Sequence, residues 1–171
     1  GMTSLTWDRH EGHAWSYDVV GLGYNYRIDE IHSAIGREQL RKPDANNAHR
    51  QEITSRYHEL LAEHCPDLGV PFAHHPGVSA HHIMPVILPN RTNRLQFMET
   101  MKTHGIQTSI HYPPIHTFSY YRERFPSPHH LPVTESIAPR EVTLPLFPTM
   151  TEEQIEYLME IVPQALKAAK G

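Results

Sequence analysis

The sequence predicts an α+β fold in which a short, mostly antiparallel sheet carries helices packed on it. Two apolar, partly β-branched runs flank a capped helical segment between His81 and His111, which indicates a strand–helix–strand unit. A capping box at residues 151–154 opens another helix near the C-terminus. The 15 prolines argue against a long helical bundle, because proline lacks a backbone N–H and breaks helix interiors.

The composition describes a chain of 171 residues, which is long enough for one domain with a hydrophobic core. With 39% hydrophobic and 20% charged residues, the chain is expected to fold. The net charge of −4 offers no basic surface for nucleic acid, and no run of about 18 apolar residues could span a membrane. The N-terminal residues lack a signal-peptide pattern and the single Cys65 excludes an internal disulfide, so a cytoplasmic protein is predicted.

The N-terminal third is predicted to contain an irregular arm followed by two helices. Residues 1–27 show little periodicity and form the arm, while residues 28–171 form the folded domain. Asp29 is predicted to cap the first helix, which Pro43 ends. The second helix is predicted over residues 46–64. One face of the first helix is marked by Ile28, Ile31, Ile35 and Leu40.

The central segment is predicted to contain a strand over residues 81–88, in which Pro85 restricts pairing to an edge or a bulge. Thr92 or Asn93 then caps a helix that ends at Gly105, a residue suited to the left-handed conformation after a helix. A second strand is predicted over residues 106–111.

The C-terminal part is predicted to be rich in loops over residues 112–150, with a third strand at residues 141–144. Thr151 begins the last helix through the capping box. Pro163 is predicted to kink or interrupt that helix, because its ring removes one backbone hydrogen bond.

The 15 histidines invite a metal hypothesis, but their spacing does not favour it. Adjacent pairs at residues 74–75, 81–82 and 129–130 would point to opposite faces of a strand. The chain has no His-Glu-x-x-His and no Cys-x-x-Cys, so surface and loop histidines are the better interpretation. Cys65 lacks the surroundings of a nucleophile, and Gly21-x-Gly23 lacks the third glycine of a dinucleotide site.

Two segments combine residues that could bind a ligand. In residues 23–27 (Gly-Tyr-Asn-Tyr-Arg), Asn25 offers an amide and Arg27 a planar cation just before a helix N-terminus, which suits phosphate or carboxylate. In residues 110–116, a strand end carries His111, Tyr112 and His116 beside two rigid prolines. The residues alone leave open the alternatives of a capped turn and of an ordinary proline-stiffened loop.

Taken in order, these segments resemble the C-terminal part of the DegT/DnrJ/EryC1/StrS family of sugar aminotransferases, which are fold type I enzymes dependent on pyridoxal phosphate (PLP). The similarity covers nearly the whole chain, but only about the C-terminal half of a family member. It rests on residues 23–27, then Glu30, Ala34, residues 39–40, 104–106, 111–116, 131–135, 144–148 and 151–154.

The resemblance implies the small C-terminal domain of such an enzyme, and amino transfer from glutamate to a keto-sugar nucleotide. It implies that Asn25 reaches the cofactor phosphate of the neighbouring subunit in a homodimer, and that Arg27 helps line the same site. It places His111, Tyr112 and His116 near the substrate entrance.

The chain departs from the family because no lysine lies in the family's Schiff-base context, which belongs to the larger N-terminal domain. A Schiff-base lysine needs a pocket that lowers its pKa. The chain is therefore expected to be inactive alone, with PLP not bound stably. One alternative is half of a split enzyme, in which a separate chain supplies the lysine domain. The other hypotheses are a non-enzymatic interaction module and, less favoured, a metal binder. The lysines present are Lys42, Lys102, Lys167 and Lys170.

Overall fold

A computed structural model of the protein describes residues 20–24, 26–125 and 130–170. The chain divides between Arg41 and Lys42 into two units, which are described separately below. The elements are α1 (Glu30–Gln39), α2 (Pro43–His64), β1 (Met84–Ile87), α3 (Arg94–Thr103), a 3₁₀-helix (Ile115–Thr117), α4 (Ser119–Arg124), α5 (Pro132–Ile137), β2 (Glu141–Leu144) and α6 (Glu152–Ala169).

Helix α1 of the first unit begins where the sequence predicts, after the N-cap Asp29. The Asp29 carboxylate accepts a hydrogen bond of 2.8 Å from the backbone N–H of His32. This bond and a second contact with the His32 ring hold the pKa of Asp29 below its usual value. Helix α1 buries none of its residues, and Ile31 on its apolar face is 74% exposed.

Helix α2 of the second unit begins three residues earlier than the sequence analysis predicts. Pro43 occupies its first turn and does not merely end the preceding helix. The physical reason is that the first helical residues donate no intrahelical hydrogen bond, so proline is tolerated there. At the other end, Cys65 terminates the helix as predicted. Its thiol is buried, and burial raises its pKa, which agrees with a structural role.

The sheet consists of β1 and β2, which pair antiparallel in a register that places Met84 opposite Leu144 and Val86 opposite Val142. Single bridges flank it, joining Gly69 to Ile87 beside β1 and Ser109 to Thr143 beside β2. The α+β class and the antiparallel sheet are thus confirmed, and the third predicted strand is β2.

The predicted strand over residues 106–111 is reduced to the bridge at Ser109. Continuing that register would bring His111 opposite Glu141. The backbone N–H of His111 instead donates to the Glu141 side chain, at 3.0 Å, so the ladder does not continue. The hydrogen bond between the His111 main chain and the Glu141 side chain is part of the site described below.

The core of the second unit lies where α3 and α2 pack against α6. Tyr57 is fully buried, and its hydroxyl donates to the carbonyl oxygen of Pro145 at 2.9 Å. Burial raises the pKa of Tyr57. The largest fully buried side chains are Tyr57, Phe97, Leu61, Met84, Leu88, Met101, Leu144, Val86, Val142 and Val162.

The segment predicted to be loop-rich contains the 3₁₀-helix and the short helices α4 and α5. Helix α5 begins at Pro132, another proline in a first turn. The Glu135 carboxylate accepts the backbone N–H of Leu131 at 3.1 Å and so supports the start of this helix. These helices are too short for a periodic pattern to stand out in the sequence.

Helix α6 opens with the predicted capping box between Thr151 and Gln154. The backbone N–H of Thr151 donates to the Gln154 side chain at 3.1 Å, and the Gln154 N–H donates to the Thr151 hydroxyl at 3.4 Å. The helix then continues through Pro163 to Ala169, so the expected interruption is wrong. None of the helices in the described part of the chain is both long and apolar enough to cross a membrane.

Replacing Thr151 by alanine is expected to lower the free energy of unfolding by about 1 kcal/mol, because the N–H of Gln154 loses its side-chain acceptor and keeps only the backbone carbonyl of Thr151, at 3.1 Å. Urea unfolding followed by circular dichroism measures the change. Thr151→Ser is the matched control, since serine keeps the hydroxyl and should retain most of the stability. Equal stabilities of the alanine and wild-type proteins would show that the cap contributes nothing.

Candidate functional site

The side chains of Glu141, Thr143 and His111 form a hydrogen-bonded chain beside the sheet. The Thr143 hydroxyl donates to Glu141 Oε1 at 2.7 Å, and His111 Nδ1 lies 2.7 Å from Thr143 Oγ1. Glu141 Oε2 accepts the backbone N–H of His111, so the carboxylate holds both the main chain and, through Thr143, the ring. Glu141 is only 9% exposed and Thr143 only 5% exposed. The arrangement presents one oriented imidazole at the end of a buried polar network.

A cavity of about 580 Å³ lies on the side of the sheet where His111 and Thr143 are found. Its volume falls in the range of small-molecule sites. Its walls combine polar and apolar groups, which suits a ligand that has hydroxyl groups and a carbon skeleton. The polar lining includes His82, Gln107, Thr108 and Ser109, and the apolar lining includes Leu146 and Phe147.

Tyr112 and His116, the other predicted substrate-site residues, lie on the same segment but not in that cavity's lining. Tyr112 is 77% exposed and touches the His111 ring edge-on, with ring centroids 4.7 Å apart. It lines a smaller cavity of about 270 Å³ together with Arg94 and Glu135. The structure therefore brings His111 and Tyr112 into contact but directs them to two different cavities.

His116 is largely buried and lies in a cluster of ionisable side chains around Glu135. His116 Nε2 lies 3.4 Å from Glu135 Oε1, and His130 Nδ1 lies 3.2 Å from Glu135 Oε2. The backbone N–H of Leu131 and then the two imidazoles hold the pKa of Glu135 below its usual value. The cluster joins the segment that carries His116 to helix α5.

The loop at residues 23–27 belongs to the first unit. The rings of Tyr24 and Tyr26 lie 5.6 Å apart, and both side chains are more than four-fifths exposed. Arg27 is exposed as well. Asn25, the predicted phosphate ligand, lies outside the described residues.

Sequence reasoning selected His111 but missed Glu141 and Thr143, which were assigned only to a strand. A signal for them exists: Glu141 and Thr143 are polar residues within a short strand that is buried throughout. Because buried polar side chains need hydrogen-bond partners, such a strand predicts that polar groups of neighbouring segments contact it. Among the described residues, no three or more histidine, cysteine, aspartate or glutamate side chains are placed so that they could hold a metal ion.

Comparison with known proteins identifies the family. The family model described as "DegT/DnrJ/EryC1/StrS aminotransferase family" matches residues 1–163. The chain belongs to this family. The match confirms the resemblance on which the sequence interpretation rests.

Solved structures of other proteins share the fold of this chain. The putative sugar aminotransferase Spr1654 from Streptococcus pneumoniae, in its PMP-form, superposes with a TM-score of 0.83 at 21% identity, over 98% of this chain and 42% of that chain. Helicobacter pylori PseC, an aminotransferase in pseudoaminic acid biosynthesis, superposes with a TM-score of 0.81 at 23% identity, over 90% of this chain and 41% of that chain. S. venezuelae DesV superposes with a TM-score of 0.77 at 27% identity, over 93% of this chain and 42% of that chain. The chain thus spans about two fifths of the length of these proteins.

The lysines of this family member do not fit a Schiff-base site. Lys42, Lys167 and Lys170 are exposed, and the Lys102 side chain is 74% exposed with its ammonium 3.6 Å from Glu99. A lysine that bonds to PLP must be desolvated or placed near another cation so that its amine is unprotonated. None of the four lysines, all of which lie among the described residues, has such surroundings in this structure.

Proposed function

We propose that this chain is the C-terminal part of a PLP-dependent sugar aminotransferase that transfers an amino group from glutamate to a keto-sugar nucleotide. The observation that carries the proposal is the family match over residues 1–163. Spr1654, which resembles this chain in fold, is known in a PLP-form and a PMP-form. When bound, the cofactor supplies the electron sink for amino transfer.

The proposal assigns roles to this chain's own residues. Asn25 and Arg27 contact the cofactor phosphate of a neighbouring subunit, because an amide and a planar cation suit phosphate oxygens. His111, Tyr112 and His116 contribute to the substrate entrance, and His111 is supported by its position in the lining of the 580 Å³ cavity. The active assembly is a homodimer or a pair with a separate lysine-bearing chain, and the single Cys65 agrees with a cytoplasmic location.

These 171 residues alone are expected to form no stable Schiff base, since each lysine is exposed. The measurement is an absorption spectrum after mixing with PLP and removing the excess by gel filtration. A retained Schiff-base band, together with borohydride trapping of the cofactor on one lysine, would overturn the expected inactivity. The exposed Lys102→Arg variant serves as control for nonspecific reaction of surface amines with PLP.

A second arm tests the family activity itself. Co-expression with a matching lysine-bearing domain is expected to restore PLP retention and the conversion of the bound PLP by glutamate. In that complex, Asn25→Ala is expected to weaken cofactor retention. Co-expression that yields a stable complex without any glutamate-dependent spectral change would contradict the proposed aminotransferase function.

A further inference from the structure

The network of Glu141, Thr143 and His111 determines which nitrogen of the imidazole carries a proton. A carboxylate accepts hydrogen bonds and donates none, so the single hydroxyl hydrogen of Thr143 is directed to Glu141, 2.7 Å away. The Thr143 oxygen can then only accept in its 2.7 Å contact with His111 Nδ1. Nδ1 therefore carries the hydrogen, and in the neutral ring Nε2 is left as an acceptor.

The backbone N–H of His111 supports the same assignment of donors and acceptors. The N–H of His111 donates to Glu141 Oε2 at 3.0 Å, so both carboxylate oxygens are used, one on the main chain and one on Thr143. The side chains of Glu141 and Thr143 are buried, which strengthens these bonds relative to exposed ones. Among the described residues, His111 Nε2 has no hydrogen-bond partner, although His111 lines the 580 Å³ cavity.

We propose that Glu141 and Thr143 are positioning residues that hold His111 in its Nδ1–H tautomer, so that Nε2 accepts a hydrogen bond from a hydroxyl group of a ligand in the cavity. Only the identity of that ligand, the sugar substrate, rests on the proposed function. A ring free to exchange tautomers would present a donor and an acceptor in turn, whereas a fixed ring selects ligands that donate. Thr143 and Glu141 thus act on the ligand through the orientation of His111, and Thr143 also lines the cavity.

The test reads the tautomer directly. Long-range ¹H–¹⁵N correlation spectra of ¹⁵N-labelled protein at about pH 8.5, where imidazoles are neutral, distinguish a protonated Nδ1 from a protonated Nε2. The His111→Gln variant identifies the His111 signals by their loss. Wild-type protein is expected to show Nδ1–H. Thr143→Val removes the acceptor and should change the tautomer ratio about three- to tenfold, as expected for one hydrogen bond, while Thr143→Ser should restore it.

The Glu141→Gln variant is a second test, in which His111 is expected to adopt the tautomer opposite to that of the wild-type protein. The amide oxygen must accept the His111 N–H, so the amide NH₂ faces Thr143 and turns its hydroxyl hydrogen toward Nδ1. We expect this variant to shift His111 to the Nε2–H tautomer further than Thr143→Val does, because here the Thr143 hydroxyl donates to Nδ1 and does not merely cease to accept from it. Ser109→Ala is the matched control, because its hydroxyl lies 3.5 Å from Nδ1 and should not set the tautomer.

An Nε2–H ring in the wild-type protein, or an unchanged ring in both Thr143→Val and Glu141→Gln with the fold intact by circular dichroism, would overturn the proposal. The spectra require neither cofactor nor substrate. A failure of the tautomer prediction is therefore distinguishable from a failure of the aminotransferase proposal, which the co-expression experiment tests separately.

Discussion

Replacing Phe97 by alanine is expected to lower the free energy of unfolding by about 3–5 kcal/mol, because the ring leaves a cavity that the neighbours fill only in part. Phe97 is fully buried on α3, and α3 packs against α6. The two helices are also joined at their ends, where the N–H of Asn93 donates to the carbonyl of Ala169 at 2.9 Å. The helix pair therefore cannot shift easily to close the cavity.

Urea unfolding monitored by circular dichroism and tyrosine fluorescence measures this loss. Domains are typically stable by about 5–15 kcal/mol, so the variant would be marginal at physiological temperature. Leu95→Ala on the same helix is the control, since Leu95 is 75% exposed and its truncation should change stability by no more than about 0.5 kcal/mol. Similar losses in both variants would contradict the assignment of this stability to the packing of Phe97 in the core.

Signals that act within one turn of chain were predictable from the sequence. Asp29, Asn93 and Thr151 each accept a backbone N–H within three residues, and this local chemistry determines where three helices begin. Gly105 has a φ of 74°, the left-handed conformation that was expected after α3. Such features require no knowledge of distant parts of the chain, so a single sequence reveals them.

Features that depend on contacts between distant residues were predicted less well. The strand over residues 106–111 has the right composition, but its pairing is cut short by the Glu141 side chain, 30 residues away. Pro43 looked like a helix end, and only the start of α2 shows that it occupies a first turn. Pro43 was correctly predicted to mark a helix boundary, but it was assigned to the end of the preceding helix and not to the start of α2.

The candidate site was predictable only in part for the same reason. His111 stands out beside the two prolines, but Thr143 and Glu141 become its partners only because Ser109 pairs with Thr143. That pairing sets the register and places the Glu141 carboxylate within hydrogen-bond distance of the His111 backbone N–H. Asn25 lies outside the described residues, so its role in cofactor binding stays a prediction.

Replacing Pro163 by alanine is expected to raise the free energy of unfolding by about 1–2 kcal/mol. Proline inside a helix costs about 3 kcal/mol relative to alanine, and α6 continues through this position. Alanine supplies an N–H that can bond to the carbonyl of Met159 one turn earlier, a group within the buried face of the helix. Part of the gain is lost, because proline also restricts the unfolded chain, by about 0.4–1 kcal/mol.

Urea unfolding and thermal melting of the Pro163→Ala protein measure the gain. Glu156→Ala, an exposed change on the same helix, is the control and should shift stability by no more than about 0.5 kcal/mol. If Pro163→Ala instead lowers stability, the proline ring or a bend that it imposes must be needed where α6 meets α2 and α3, since both helices pack on α6. The sign of this single change therefore decides whether α6 is held in its shape by the core or by the proline.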